Sequence, residues 1–253
     1  MMQSIYQSFQ QAKKNQEKLF AVLIDPDKLK LNNVDKIIRL AESTAVDCFF
    51  VGGSLIVNDV MNDCIKRIRE SSNIPIIIFP GSTLQINYAA DAILFLSLIS
   101  GRNPDLLIGR HVESAPMLHR SSLEVISTGY MLIDGGKPTT ATYISNTLPI
   151  PRDKSDIALS TALAGELLGM KTIFMDAGSG AELAVPNNMI QRVSSQISIP
   201  LIVGGGIRTP EMAAEKVAAG ADIVVVGNTI EKDPALMIEL VDAVHSGVKI
   251  TRY

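Results

Sequence analysis

At 253 residues, 47% of them hydrophobic and 19% charged, the chain has the length and apolar content of one large folded domain and is unlike a disordered or fibrous sequence. A net charge of -3, with the Lys13-Lys14 pair reading as a solvated helix face, argues against a nucleic-acid surface and confines any anion recognition to a local site. Cys48 and Cys64 lack metal-ligand spacing and read as buried free thiols in a reducing cytoplasm; residues 1–17 lack a signal peptide's apolar core, and no run approaches the ~20 residues of a spanning helix, so a soluble protein is expected.

A polar N-terminal helical extension, about residues 1–18, precedes the first of eight short apolar, β-branched runs. In chain order these runs occupy residues 20–24, 48–51, 76–79, 93–96, 125–133, 172–175, 201–203 and 223–226. Amphipathic stretches at 33–42, 56–70, 156–168, 210–219 and 234–244 read as crossover helices. Asn32 or Asn33 is a candidate cap for the first of these, Thr209 caps ahead of Pro210, and Gly169 and Gly220 sit where helices should stop.

Strand followed by helix, repeated, demands a parallel sheet, and near-continuous apolar strands demand burial on both faces. A single (β/α)8 TIM-type barrel over residues 1–253 satisfies both conditions, with an open doubly wound sheet as the alternative. Two segments break the regularity, residues 101–118 and 134–153, the second carrying Gly135, Gly136, Pro138, Pro149 and Pro151. As long loops after strands they are candidates for a lid over the active face.

Three successive strands end in glycine-rich turns: Asp176-Ala177-Gly178-Ser179-Gly180, Gly204-Gly205-Gly206-Ile207-Arg208 and Gly227-Asn228-Thr229. Glycine lets backbone amides approach a phosphate, and a following helix N-terminus favours the anion. Each turn alone reads equally as tight-turn chemistry; together, on the last strands of a barrel, they read as a phosphate site. Asp176 ends its strand immediately before the best of these turns and is the candidate general base, the bland alternative being a carboxylate that orients Ser179 or caps the turn.

Leu23-Ile24-Asp25-Pro26-Asp27-Lys28 places an acidic pair at the end of the first strand. Asp25 with the hydroxyl of Ser54, which follows Gly52-Gly53, forms an oxygen donor set suited to Mg2+, against an Asp-Pro turn with Asp27 as a helix cap. His111, His119 and His245 show no ligand spacing; His111, in the first irregular segment, is the one placed to reach a substrate anion. Arg102, Arg110, Lys137 and Lys154 are loop-borne cations. Phe79, Phe95, Leu96, Leu98, Ile99 and residues 106–108 are candidates to line an apolar groove.

These motifs, together with Ile78-Phe79-Pro80-Gly81-Ser82, Ser100-Gly101-Arg102-Asn103-Pro104, Ser127-Thr128-Gly129-Tyr130 and Ile133-Asp134-Gly135-Gly136-Lys137-Pro138-Thr139, resemble the geranylgeranylglyceryl phosphate synthase family, including its heptaprenylglyceryl phosphate synthase branch. The resemblance covers nearly the whole chain. It implies transfer of a prenyl group from a polyprenyl diphosphate, with geranylgeranyl diphosphate the favoured donor, to the 3-hydroxyl of sn-glycerol 1-phosphate, with release of diphosphate aided by Mg2+. Carried over by position, Asp25 and Ser54 resemble the Mg2+ ligands. Phe174, Met175, Asp176, Ala177, Gly178, Ser179 and Gly180, with Gly204, Gly205, Gly206, Gly227 and Asn228, resemble the glycerol phosphate site. The resemblance also favours a homo-oligomer, with at most transient membrane contact.

Two departures stand out. The family commonly has Tyr-Leu-Glu where this chain has Phe174-Met175-Asp176, which removes one phenol and shortens the presumed base by a methylene. Some members also place a lysine where this chain has Leu23. A phosphosugar isomerase or lyase barrel, or a non-catalytic phosphometabolite-binding barrel, remains as the competing expectation.

Overall fold

The computed structural model describes residues 4–27, 31–55 and 60–247, the side chains of residues 31–33 excepted. Eight parallel strands close in sequence order into one barrel: β1 (Leu19–Ile24), β2 (Cys48–Val51), β3 (Ile76–Ile78), β4 (Ala92–Leu98), β5 (Glu124–Leu132), β6 (Thr172–Asp176), β7 (Leu201–Gly204) and β8 (Ile223–Val226). β1 pairs with β8 through Leu19 and Ile223, so no strand edge is left open. The expected barrel is therefore present and the open sheet is not.

Alternation along each strand divides the core into two shells. Ala21, Phe50, Ile77, Leu94, Ile126, Phe174 and Ile202 point into the barrel, while Val22, Phe49, Val51, Ile78, Ile173, Met175 and Val203 point outward against the helices. That double burial is why the strands read as unbroken apolar runs. The helices in chain order are α1 (Ile5–Asn15), α2 (Leu31–Ser43), α3 (Met61–Ser71), α4 (Arg110–His119), α5 (Thr140–Ser145), α6 (Ser155–Leu167), α7 (Asn187–Ser194), α8 (Pro210–Ala218), α9 (Asn228–Lys232) and α10 (Met237–Ser246).

Helix α1 seals the N-terminal mouth. Phe9 joins the inner shell. Glu124, at the start of β5, accepts hydrogen bonds from Ser4 Oγ and the Ile5 and Tyr6 amides, which neutralises unpaired donors of the helix start. At the other end Lys13 and Lys18 pair with Asp222 at 2.8 and 3.2 Å. Among the described residues, the C-terminal mouth is the open end of the barrel.

The structure realises part of the local signals. The Thr209 side chain accepts from the Met212 amide with Pro210 at the first helical turn, and Gly169 and Gly220 take φ of 84° and 110° just beyond α6 and α8. Asn32 and Asn33 lie inside α2 rather than ahead of it. Lys28 and the first residues of the 56–70 stretch lie outside the described residues. Cys48 and Cys64 are free and buried, as expected.

Residues 101–118 depart from the expected loop. This segment is not a loop: a π-helical turn over Asp105–Gly109 runs straight into α4, with Pro116 inside the helix. Burial of His111, Ser114 and Leu118 along one face overrides the breaker signals of Gly109 and Pro116. Nor is the 134–153 segment a free lid. The Ile150 amide donates to Leu132 O and the Asp134 amide to Ile150 O, and Arg152 reaches the carbonyls of Asp134 and Ala184 at 2.8 Å each, clamping the segment to the turn after β6. Among the described residues, no helix is long and apolar enough to cross a membrane.

Candidate active site

The C-terminal ends of the strands surround a cavity of about 510 Å3, the more polar of two at this mouth. Its wall is formed by Asp25 and Leu23 from the end of β1, Gly52, Gly53 and Ser54 after β2, Phe174 and Asp176 on β6, Gly178, Ser179 and Gly180 after it, Gly204, Gly205 and Gly206 after β7, and Gly227 and Asn228 after β8. The three glycine turns and the β1 carboxylate, separated by up to about two hundred residues in sequence, thus face one space. Short helix α9 begins at the third turn, and barrels bind phosphate at this place, between the loops after strands seven and eight and the start of a short extra helix.

Two of the expected residues face elsewhere. Met175 is fully buried in the outer shell between barrel and helices, and the Ala177 methyl packs in the same shell. Both follow from period-two alternation: Phe174 and Asp176 point inward, so Met175 and Ala177 cannot.

Asp176 is buried, 7% exposed, and both carboxylate oxygens are engaged. Oδ2 accepts from the Tyr130 hydroxyl at 2.6 Å and Oδ1 from the Gly178 amide at 2.7 Å. Burial pushes its pKa up and these two donors pull it back, leaving it raised above the ordinary aspartate value. Burial, with the adjacent Asp176 charge, pushes the Tyr130 phenol well above its usual value, so the phenol stays protonated and is the donor. Gly205, at φ +82°, lets the β7 turn lie against this carboxylate: a Cβ there would sit 2.5 Å from Asp176 Oδ1 and 2.7 Å from the Gly178 nitrogen. Ser179 and Asn228 exchange hydrogen bonds at 3.2–3.3 Å across the cavity, tying the β6 turn to the β8 turn.

At the β1 corner the Asp25 carboxylate lies against Gly53, whose Cβ, if present, would be 3.1 Å from Asp25 Cγ. The Asp27 amide donates to Asp25 Oδ1, and the Asp25 amide donates to Glu231 Oε1, each at 3.2 Å. The sequence motifs do not single out Glu231 or Lys232; Lys232, with Lys137 and the Arg208 of the β7 motif, is a cation that lines the cavity where Leu23 leaves none. Among the described residues no group of three or more His, Cys, Asp or Glu side chains gathers as a metal site. Mg2+ asks less of the protein: one or two carboxylates with water and substrate phosphate oxygens suffice. The Asp25 carboxylate and Ser54 hydroxyl on one cavity wall fit that requirement.

A second cavity, about 160 Å3 and mainly apolar, opens beside the first. Phe79, Phe95, Leu96, Leu98 and Leu106 line it, as expected, with Ile93, Leu94, Leu118 and Leu132; Ile99, Leu107 and Ile108 do not. Gly53, Ser54 and Phe79 belong to the walls of both cavities. Helix α5 serves both as well, Thr140 facing the polar one and Ala141 and Ile144 the apolar one. His111 is not near the phosphate turns. It is built into the apolar wall, edge-on to Phe95 at 4.5 Å with Nε2 3.0 Å from Ser97 Oγ, and burial lowers its pKa. Arg110 also lies on that wall and pairs with Glu113; Arg102 donates to the Gly101 carbonyl, and Lys154 pairs with Asp153 at the surface. His119 is exposed and His245 pairs with Asp47.

A closed (β/α)8 barrel whose glycine turns converge at the C-terminal mouth, with an apolar cavity beside them, has the architecture of the phosphate-binding barrels. The model of the PcrB family matches residues 11–245, and the chain belongs to that family. It is 53% identical over 252 residues to the geranylgeranylglyceryl phosphate synthase of Chitinophaga pinensis, with 100% of both chains covered. It is 42% identical over 220 residues to that of Korarchaeum cryptofilum, covering 87% of this chain and 90% of the relative. Among solved structures, the (S)-3-O-geranylgeranylglyceryl phosphate synthase of Thermoplasma acidophilum in complex with sn-glycerol-1-phosphate superposes with a TM-score of 0.92 at 33% identity, over 97% of this chain and 100% of that one. The tryptophan synthase alpha subunit of Legionella pneumophila, with a TM-score of 0.58 at 16% identity over 97% of this chain and 100% of that one, shares the barrel alone. The family resemblance read from the motifs is borne out.

Proposed function

We propose that this chain is a prenyltransferase that joins the 3-hydroxyl of sn-glycerol 1-phosphate to C1 of a polyprenyl diphosphate, geranylgeranyl diphosphate being the favoured donor. The observation that carries this function is the meeting of the two cavities at Gly53, Ser54 and Phe79. A phosphorylated polar acceptor suits the glycine turns, an isoprenoid tail suits the apolar cavity, and the shared wall is where their reactive ends come together. A sugar-phosphate isomerase or lyase has no use for the second cavity.

The turns after β6, β7 and β8 hold the acceptor phosphate on backbone amides, and Lys137 and Arg208 add positive charge to the same wall. Asp176 accepts the proton of the attacking hydroxyl: a carboxylate offers roughly four lone-pair sites, and Tyr130 and Gly178 occupy two. The new carbon–oxygen bond forms as the bond from C1 to diphosphate breaks. Asp25 and Ser54 would hold Mg2+, which when bound neutralises charge on the leaving diphosphate. The apolar wall fixes the tail and keeps water from the allylic carbon. The enzyme would act in the cytoplasm, as a homo-oligomer that touches membrane only transiently.

The test is turnover by the purified protein with Mg2+, radiolabelled glycerol 1-phosphate and donors of graded chain length. Label passing into an organic-extractable product supports the assignment; none with any donor contradicts it.

A further inference from the structure

Tyr130 belongs to neither cavity alone. Its ring lines the apolar cavity, while its hydroxyl reaches out of that wall to Asp176 Oδ2, which faces the polar one. The strands produce this placement. Tyr130 on β5 is the register partner of Phe174 on β6, and Asp176 follows Phe174 by two residues on the same inward face. Four rings, Phe50, Phe79, Tyr130 and Phe174, pack together inside the barrel mouth, and Tyr130 meets Phe79 and Phe174 edge-on with centroids 5.8 and 5.6 Å away. With the ring packed in this way, the hydroxyl donates to Asp176 Oδ2. It is the one polar atom among the four side chains, and it is spent on the carboxylate.

A core chosen for stability alone has no reason to bury an aspartate on two neutral donors, since an ionised carboxylate away from water is costly unless paired. We propose that Tyr130 is the positioning residue of the active-site carboxylate, its hydroxyl holding Asp176 in the charged form and in one orientation at the junction of the two cavities. The inference rests on the assignment of Asp176 as the base. The neighbours agree with it. Gly178 supplies only an amide, Gly204 and Gly205 on the β7 side bring no ionisable group, and the charged side chains sharing the cavity are Asp25, Lys137, Arg208, Glu231, Lys232 and Asp233. Tyr130 is thus the one side chain that donates a hydrogen bond to Asp176 among the described residues.

Tyr130→Phe keeps the ring and removes the hydroxyl. The acidic limb of its kcat/KM profile is expected to rise by about one to two pH units, because a hydrogen bond to the charged form holds a carboxyl pKa down. The midpoint of Asp176 is then read directly by carbon-13 NMR of labelled aspartate carboxyl groups, assigned with Asp176→Asn, and should rise with the limb. Site-specific 3,5-difluorotyrosine at position 130 retains volume and hydroxyl as a stronger donor and should lower the midpoint; it also serves if Tyr130→Phe does not fold. An Asp176 midpoint unmoved by either change overturns the role of Tyr130. Because NMR reads the midpoint without turnover, the two ideas fail separately: a midpoint that moves while Asp176→Asn remains fully active overturns Asp176 as the base instead.

Discussion

Gly205 and Asp176 compete for one volume: a Cβ on Gly205 would lie 2.5 Å from the Asp176 carboxylate, inside any real contact distance. The β7 turn can therefore approach the base only without a side chain. Gly205→Ala must displace either the carboxylate or the turn, and it also places alanine at φ +82°. Turnover should fall by a hundredfold or more, on the order of 3 kcal/mol in the barrier, with a stability loss of about 1–3 kcal/mol. Steady-state kinetics alongside thermal melts check both.

Asp176→Asn should abolish turnover and yet stabilise the fold near neutral pH. The sign follows from the raised pKa, whose chief cause is burial. A carboxyl raised above its unfolded value favours folding below the unfolded pKa, where it is protonated, and loses that contribution as pH rises through the folded value. Asparagine fits the same contacts, its oxygen accepting from Gly178 and its amide donating to the Tyr130 oxygen. Its Tm should exceed the parent's near pH 8, by a margin that shrinks as pH falls towards about 4. An unchanged margin across that range would show that Asp176 is not strained by burial.

At the β1 corner, Asp25→Ala should remove the Mg2+ dependence of diphosphate binding while leaving glycerol phosphate binding intact. Gly53→Ala should do so partially, since its methyl would sit 3.1 Å from the carboxylate carbon. Isothermal titration with and without Mg2+ distinguishes these outcomes from a general collapse of the site.

Leu96 lines only the apolar cavity. Leu96→Lys should raise the donor KM by roughly 10- to 100-fold, corresponding to about 1–3 kcal/mol of lost apolar contact, without changing the acceptor KM. Equal effects on both substrates would mean that the two cavities are not separately assigned.

The strands are legible in the sequence because parallel strands buried on both faces leave unbroken runs such as Cys48–Val51 and Ile223–Val226. Helix α4 is not, because its core face carries His111 and Ser114 and its span contains Pro116, so hydrophobic period and breaker signals both point to a loop. The glycine turns are legible because each is contiguous. Met175 belongs to the contiguous motif but not to the site, because a strand shows only every second side chain to the barrel interior. Tyr130 and Glu231 reach Asp176 and Asp25 through pairings between distant strands and turns, which no local spacing encodes.

A phosphorylated acceptor and an isoprenoid donor are expected to meet where the two cavities join. The decisive measurement supplies glycerol 1-phosphate carrying heavy oxygen in its 3-hydroxyl with a polyprenyl diphosphate and Mg2+ and reads the product by mass spectrometry. The expected result is a prenyl ether that retains the heavy oxygen, with one diphosphate released per ether. Absence of ether with every donor, or an ether that has lost the heavy oxygen, would contradict it.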